Sequence, residues 1–201
     1  MKFSIESKTI IIGKSRYGKT SLIMELIQRL QRKEGLEIYI YDIIHQHQKS
    51  IKPKSTELQK KLNEVCRRLM AKRKPPRPVL IVDELQTFAS HPTDYPHKLN
   101  DFREYILTGA NYSCYLIGAT QRPSVAPIDL FANSETKVYF HLSRPDDLRR
   151  VEDEHGQTFA KRVKTLPKYT YLVVSGPDQV VSGPFNTKKF QVETPTPPIK
   201  L

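Results

Sequence analysis

The stretch Gly13-Lys14-Ser15-Arg16-Tyr17-Gly18-Lys19-Thr20 decides how this chain folds, because it matches the pattern G-x-x-x-x-G-K-[ST] at every fixed position. The β-branched run Thr9–Ile12 before it predicts a buried parallel strand. Residues 21–32 after it predict an amphipathic helix, whose apolar face is formed by Leu22, Ile23, Leu26, Ile27 and Leu30. A strand, a glycine-containing loop and a helix in this order aim backbone N–H groups and a helix N-terminus at a phosphate. The sequence therefore predicts a phosphate-binding loop at the edge of an α/β sheet.

Each part of this loop has an expected task in binding a nucleoside triphosphate. Gly13 and Gly18 allow the backbone to curl around the anion. Lys19 is expected to reach the β- and γ-phosphates, and the Thr20 hydroxyl is expected to bind Mg²⁺. ATP and Mg²⁺ are the expected cofactors, although the sequence leaves the preference for ATP over GTP open. The expected nucleotide-binding residues are Gly13, Lys14, Ser15, Arg16, Tyr17, Gly18, Lys19, Thr20 and Ser21.

The composition of the whole chain limits the kinds of partner and location. Its 201 residues suffice for one α/β domain with a sizeable core. A net charge of +12 favours a polyanionic partner, with nucleic acid first and an anionic membrane surface second. Cys66 and Cys114 are too few for a disulfide framework or a zinc site, so both are expected to act as small apolar residues. Because neither a signal peptide nor an apolar run of about 18 residues is present, we expect a cytoplasmic protein without membrane insertion.

A second motif follows a later predicted strand. The apolar run Val79–Val82 ends in Asp83 and Glu84, which is the Walker B pattern. Buried strands often end in acidic residues, so the pattern is weak alone and becomes specific after a complete phosphate loop. Asp83 is expected to complete the Mg²⁺ shell, and Glu84 is expected to polarise the water that attacks the γ-phosphate.

A glutamine is predicted to reach the same edge of the sheet. The predicted strand Tyr112–Ile117 leads into Gly118-Ala119-Thr120-Gln121-Arg122-Pro123. Carboxyl ends of parallel strands meet at one edge, so Gln121 is expected to lie near Asp83 and Lys19. Its neutral amide can hydrogen-bond both the γ-phosphate and the attacking water. The alternative is that Gln121 only packs against its own loop.

A basic helix is the candidate nucleic-acid surface. A helix is predicted to begin at Thr56, with Gln59 completing a capping box. Its polar side carries an excess of cations, which favours contact with DNA phosphates; a solvated face is the alternative. The candidate DNA-binding residues are Arg67, Arg68, Lys72 and Arg73.

The C-terminal part predicts a β-hairpin and a tail. The apolar runs Tyr171–Val174 and Gln179–Val181 flank Ser175-Gly176-Pro177-Asp178, a turn sequence. Residues 192–201 contain three prolines and predict an extended or disordered tail. One domain is therefore expected over residues 1–191.

The motifs together resemble those of a known family. The segment Gly118 to Pro123 with Ser124 resembles the A-T-Q-R-P-S segment of the HerA/FtsK superfamily of DNA-pumping ATPases, and residues 128–147 continue the likeness. The resemblance implies a RecA-like P-loop NTPase fold with a mainly parallel sheet flanked by helices. It also implies a ring of self-associated subunits, six being expected, around double-stranded DNA. The compact length is most similar to the genome-packaging ATPases of membrane-containing icosahedral viruses.

One residue departs from the family pattern. Family members often carry an arginine, directly after a glycine, that acts on the nucleotide of the neighbouring subunit. Here Ala110 follows Gly109, so another residue must take that role. Arg103 on the preceding helix is the first candidate for this trans-acting finger; Arg122 and Arg144 are the others.

The sequence thus predicts an ATP-driven motor that translocates or packages double-stranded DNA. Capsid or vertex proteins are expected as further partners if the chain is viral, with location in the host cytoplasm and at the virion vertex. Three alternatives remain: a P-loop small-molecule kinase with stretch 85–97 as its lid, a cellular HerA/FtsK-like DNA-processing or conjugative ATPase, and a non-catalytic DNA-binding module. The non-catalytic module is disfavoured because the residues expected to act in hydrolysis are all present: Lys19, Thr20, Asp83 and Glu84.

Overall fold

A computed structural model describes residues 8–42, 50–51, 57–72, 75–87, 99–176 and 178–187. The predicted tail at 192–201 and the predicted domain boundary after residue 191 lie outside these ranges. Within them, no helix is long and apolar enough to cross a membrane.

In the described part of the chain, seven strands form one sheet in the order β2-β3-β4-β1-β5-β6-β7. The strands are β1 (Thr9–Ile12), β2 (Leu36–Tyr41), β3 (Arg77–Val82), β4 (Tyr115–Thr120), β5 (Thr136–Tyr139), β6 (Thr170–Ser175) and β7 (Val180–Asn186). The first five are parallel to one another, and β6 and β7 add an antiparallel hairpin to β5. The mainly parallel sheet and the C-terminal hairpin confirm the fold class predicted from the sequence.

Helices cover the two faces of the sheet unequally. The helices are α1 (Lys19–Gln31), α2 (Leu58–Met70), α3 (Asn100–Thr108), α4 (Ile128–Asn133), α5 (Pro145–His155) and α6 (Gln157–Lys164). The apolar stripe of α1 packs on one face against side chains such as Ile11 and Ile81. The other five helices pack on the opposite face with Ile10, Ile12 and both cysteines, which are buried and free as expected. Parallel strands buried on both faces need the continuous apolar runs that the sequence has.

The structure corrects several expected boundaries. Strand β4 starts at Tyr115 rather than Tyr112, because Gly109–Tyr112 is a 3₁₀ turn and Ser113 has a left-handed φ of 56°. Helix α2 starts at Leu58 with Glu57 at its N-cap and no side-chain cap, and Thr56 lies outside the described residues. Helices α4 and α6 were not predicted; both are short, and Gly156 separates α6 from α5.

The topology brings distant segments to the carboxyl edge of the parallel strands. β1, β3 and β4 are neighbours or next neighbours in the sheet, so the loops that follow them meet there. β6 runs antiparallel to β5, so it starts at this edge, and β7 returns to it. The loop before β6 and the residue after β7 therefore also border the predicted phosphate loop.

Candidate active site

The predicted phosphate loop connects β1 to α1 and depends on its two glycines. A Cβ on Gly13 would overlap the Cβ of Phe140, which follows β5. Gly18 is the N-cap of α1 with a left-handed φ of 113°, and a Cβ there would lie 2.9 Å from Thr187 Oγ1. Larger residues at either position would force the loop away from the sheet.

Backbone hydrogen bonds from three other segments hold this loop in place. Gly13 N donates to Thr120 O at 3.1 Å, and Lys14 N donates to His141 O at 2.8 Å. Tyr169 N donates to Tyr17 O at 2.9 Å, so the loop before β6 also supports it. The rings of Tyr17 and His141 stack with centroids 4.5 Å apart. The loop is therefore pre-formed rather than dependent on a ligand for its shape.

Lys19 lies buried at the start of α1. Its Nζ donates to Lys14 O, within the loop, at 3.3 Å. Burial lowers the pKa of Lys19 below its usual value, whereas the charges of Glu84 and Asp83 act to raise it. A bound polyphosphate would add negative charge beside the ammonium and favour its protonated form further.

Asp83 and Glu84 follow β3 directly, and both are buried. Glu84 N donates to Asp83 Oδ1 at 2.9 Å. Glu84 has a left-handed φ of 57°, which is uncommon for a residue other than glycine and costs of order 1 kcal/mol or more. Such a conformation persists only where neighbouring contacts hold it. The side chain of Glu84 accepts two hydrogen bonds that can do so.

Two glutamine amides hold the Glu84 carboxylate. Gln121 Nε2 donates to Glu84 Oε1 at 2.6 Å, and Gln86 Nε2 donates to Glu84 Oε2. Gln86 Oε1 in turn accepts hydrogen bonds from Thr120 Oγ1 at 2.9 Å and from Gln121 N at 3.1 Å. The structure thus brings Gln121 to the sheet edge that carries Asp83, as the sequence predicts, and adds a contact with Glu84 that was not predicted. Gln86 was missed, since its position two residues after Glu84 gives no sequence signal.

The residues expected to bind Mg²⁺ suit an ion shared with a nucleotide. Among the described residues, no three His, Cys, Asp or Glu side chains cluster as a protein-only metal site. Thr20 and Asp83 offer a hydroxyl and a carboxylate, both oxygen donors of the kind Mg²⁺ prefers. This set is incomplete alone, and it fits an ion whose other ligands are phosphates and waters.

The basic face of α2 is already paired with carboxylates. Arg67 binds Asp101 through two hydrogen bonds of 3.3 and 2.7 Å, although its side chain is 69% exposed. Arg68 pairs with Glu64 at 2.6 Å. Lys72 Nζ donates to Glu37 Oε2 at 2.6 Å and to the Tyr39 hydroxyl, which clamps α2 to β2. Arg73 lies outside the described residues.

A second set of cations lies at the end of α6 and in the loop after it. Arg162, Lys164 and Lys168 are exposed, and within the described ranges none of them pairs with a carboxylate. This end of α6 borders the phosphate loop, because the backbone of Lys164 hydrogen-bonds the His141 ring. Burial lowers the pKa of His141, and the Lys164 hydrogen bond opposes that shift. These cations carry no sequence signal as a group, because the short helix α6 is not predicted from the sequence.

The three candidate finger arginines differ in their surroundings. Arg103 Nε donates to Asp129 Oδ2 at 2.8 Å, which joins α3 to α4. Arg144 is 58% exposed at the N-cap of α5, with its Nε 3.8 Å from Asp147 Oδ2. Arg122 follows Gln121, and its Nε is buried and has no hydrogen-bond partner among the residues that the structure describes.

Comparison with protein families gives one match over most of the sheet. Residues 9–142 match the model of the ATPase family associated with various cellular activities (AAA). No curated protein sequence matches the chain.

Solved structures share the fold at low sequence identity. The genome-packaging NTPase of Sulfolobus turreted icosahedral virus 2, in complex with ATPγS, has 16% identity and a TM-score of 0.75, covering 92% of this chain and 100% of its own. The pCW3 conjugation coupling protein TcpA has 15% identity and a TM-score of 0.65, with 94% of this chain and 63% of TcpA covered. The cytoplasmic domain of the Thermomonospora curvata type VII secretion ATPase EccC has 14% identity and a TM-score of 0.70, with 94% and 26% covered. These likenesses concern the fold, and the viral NTPase matches over its whole length.

The matched residues include the phosphate loop, the acidic pair after β3 and the glutamine after β4. The chain therefore belongs to the ATPase family associated with various cellular activities (AAA), and it shares its fold with the viral packaging NTPase.

Proposed function

We propose that this ATPase is a motor that moves double-stranded DNA, acting as a ring of identical subunits. The observation that carries the proposal is the contact of Gln121 with Glu84, 2.6 Å apart, beside the buried Lys19. It joins a residue expected to sense the γ-phosphate to a residue expected to activate water. A machine that converts hydrolysis into motion needs such a link between nucleotide state and protein conformation.

Three side chains divide the work of hydrolysis. The phosphate loop N–H groups and the Lys19 ammonium hold the triphosphate and stabilise charge on its oxygens. The Glu84 carboxylate takes a proton from water while the water oxygen bonds to the γ-phosphorus and the bond to the leaving ADP oxygen breaks. The Gln121 amide turns from Glu84 to the γ-phosphate and keeps the water in line. Mg²⁺, bound through Thr20 and Asp83, would neutralise charge on the β- and γ-phosphates.

Charge and fold support DNA as the partner. The net charge of +12 suits a polyanionic partner such as nucleic acid. A fold neighbour that is covered over its whole length is described as a genome-packaging NTPase, and another as a conjugation coupling protein. We propose that this chain packages or transfers duplex DNA and that six subunits form its ring. If the chain is viral, we propose that the ring docks to capsid or vertex proteins.

Phosphate release with and without DNA tests the proposal. We expect duplex DNA of any sequence to stimulate hydrolysis by the wild-type protein, because the chain has basic surface and no recognisable base-reading module. A small-molecule kinase would instead show DNA-independent turnover that requires an acceptor. A non-catalytic module would bind nucleotide and release no phosphate. Either result would refute the proposal that this ATPase moves DNA.

The location of the DNA site gives a second prediction. Arg67 and Arg68 on α2 form ion pairs with carboxylates, and these pairs must break before either side chain can bind a DNA phosphate. Arg162 and Lys164 form no ion pair with the described residues, so they can bind phosphates without that loss. We compare the matched double variants Arg67→Ala/Arg68→Ala and Arg162→Ala/Lys164→Ala. The second is expected to weaken duplex binding and to flatten the slope of log K against log salt by about 1.8, since each phosphate contact contributes about 0.9.

The first double variant is expected to change the slope by less. If it flattens the slope while the α6 variant does not, DNA runs along α2 as the sequence alone predicts. Thermal unfolding of both variants controls for stability, because each pair of side chains is solvent-exposed.

A further inference from the structure

Gln86 connects the Glu84 carboxylate to the neighbouring strand. It lies in the 3₁₀ turn Leu85–Thr87, directly after the acidic pair. Its amide nitrogen donates to Glu84 Oε2, and its amide oxygen accepts from Thr120 Oγ1 and Gln121 N at the end of β4. One side chain therefore fixes the carboxylate relative to the strand that carries Gln121.

The two amides that contact Glu84 are anchored differently. Within the described part of the chain, the Gln121 side chain makes one hydrogen bond, the one to Glu84 Oε1. Gln86 makes three, and two of them join it to β4. Gln121 can thus leave Glu84 for a ligand at the loss of one bond, whereas Gln86 would lose its attachment to β4 as well.

Glu84 needs such an anchor because its own backbone does not hold it in a relaxed conformation. Its φ of 57° places the residue in the left-handed region, where a non-glycine residue persists only under outside constraint. The carboxylate is buried, so water does not compete for the amide hydrogen bonds.

We propose that Gln86 is a positioning residue for hydrolysis: it holds Glu84 Oε2 in place while Gln121 releases Oε1 to accept the proton of the attacking water. The inference rests on the proposed function, in which Glu84 acts on water and Gln121 on the γ-phosphate. Gln86 touches neither and acts through Glu84.

Two substitutions separate positioning of Glu84 from anchoring of the turn. Gln86→Glu keeps an acceptor oxygen for Thr120 and Gln121 N but sets a second carboxylate against Glu84, so the two carboxyl groups repel or share one proton, and turnover is measured from neutral to high pH. Gln86→Met keeps the approximate length and loses all three hydrogen bonds. Turnover, the Kd of a non-hydrolysable ATP analogue, and thermal unfolding are measured for both variants and for the wild-type protein.

We expect both variants to lower kcat by roughly tenfold to hundredfold, because a misplacement of about 1 Å costs up to ~10² in rate. The Kd of the analogue should stay within about twofold, since the hydrogen bonds that Gln86 makes to described residues go to Glu84, Thr120 and Gln121 and not to the phosphate loop. Combining Gln86→Met with Gln121→Ala should lower kcat by less than the product of the single effects, because both act through the same carboxylate.

Wild-type kcat in Gln86→Met would overturn the inference, because Glu84 would then need no hydrogen bond from residue 86, and so would wild-type kcat in Gln86→Glu at high pH, where no shared proton remains. A rise in kcat in either variant would also overturn it, since Gln86 would then restrain Glu84. If Gln86→Met fails to fold, Gln86→Glu decides. Failure of the proposed function looks different: Glu84→Gln would then hydrolyse ATP at the wild-type rate, whereas failure of this inference leaves Glu84→Gln inactive and the Gln86 variants active.

Discussion

Replacing Glu84 by glutamine is expected to lower ATP hydrolysis by about 10²–10⁴-fold while nucleotide binding stays intact, because a neutral amide cannot take the proton of the attacking water. The change is nearly isosteric, and one of the two amides that donate to Glu84 must turn so that its oxygen accepts from the new NH2 group. Hydrolysis is measured as phosphate release, and binding as the Kd of ATP itself, which the variant should retain unhydrolysed.

Lys19→Ala is the matched comparison for this variant. It removes charge that acts in the ground state and the transition state alike, so affinity and turnover should fall together. The two variants should therefore separate in a plot of Kd against kcat. Turnover of Glu84→Gln at the wild-type rate would show that the acidic pair after β3 does not supply the base.

Hydrolysis is also expected to require a neighbouring subunit. Lys19 binds the phosphates of the ground state. The negative charge that develops on the γ-phosphoryl oxygens in the transition state needs a second cation to stabilise it. An inserted arginine typically contributes ~10³–10⁵ in rate. A head-to-tail ring would bring the arginine of one subunit to the nucleotide of the next. Turnover per subunit should then rise steeply with protein concentration until rings are complete.

Subunit mixing tests whether this arginine acts in trans. Arg103→Ala subunits keep the phosphate loop, and Lys19→Ala subunits keep Arg103, so a mixture should recover activity that neither variant shows alone. Because Arg103 pairs with Asp129, Asp129→Asn should leave turnover unchanged or raise it. Arg29→Ala is the control, since Arg29 is a similarly exposed arginine paired within α1.

Arg122→Ala and Arg144→Ala are tested in the same way. Arg144 is exposed and lies at the carboxyl edge of the sheet, so it is the next candidate if Arg103 variants hydrolyse normally. Failure of all three variants to complement Lys19→Ala would refute a trans-acting arginine in this chain.

The sequence predicted the features whose signals are local. The pattern from Gly13 to Thr20 predicted a strand, a loop and a helix, and the structure has β1, the loop and α1 in those places. The apolar run before Asp83 predicted β3, and the turn sequence near Gly176 predicted the hairpin of β6 and β7. Parallel strand ends share an edge, so the placement of Gln121 at the edge that carries Asp83 also followed from the sequence, whereas its hydrogen bond to Glu84 did not.

The features that were missed depend on residues far apart in the chain. Arg67 and Lys72 look like free cations in the sequence, but their partners Asp101 and Glu37 are 34 and 35 residues away. Gln86 reads as an ordinary polar residue, and only the register of β3 against β4 places it against Thr120. Pairing across elements is set by tertiary packing, which no local pattern records.

The support of Tyr17 by Tyr169, and of Gly18 by Thr187, bears on how the protein is made. These contacts close loops of about 150 residues or more, so the nucleotide cradle takes its final shape only after the last strand has joined the sheet. A chain emerging from the ribosome would reach residue 187 before it could hold ATP firmly. Nucleotide capture by nascent chains of increasing length should consequently appear late and abruptly, and ATP would favour the completed molecule over every partly synthesised one.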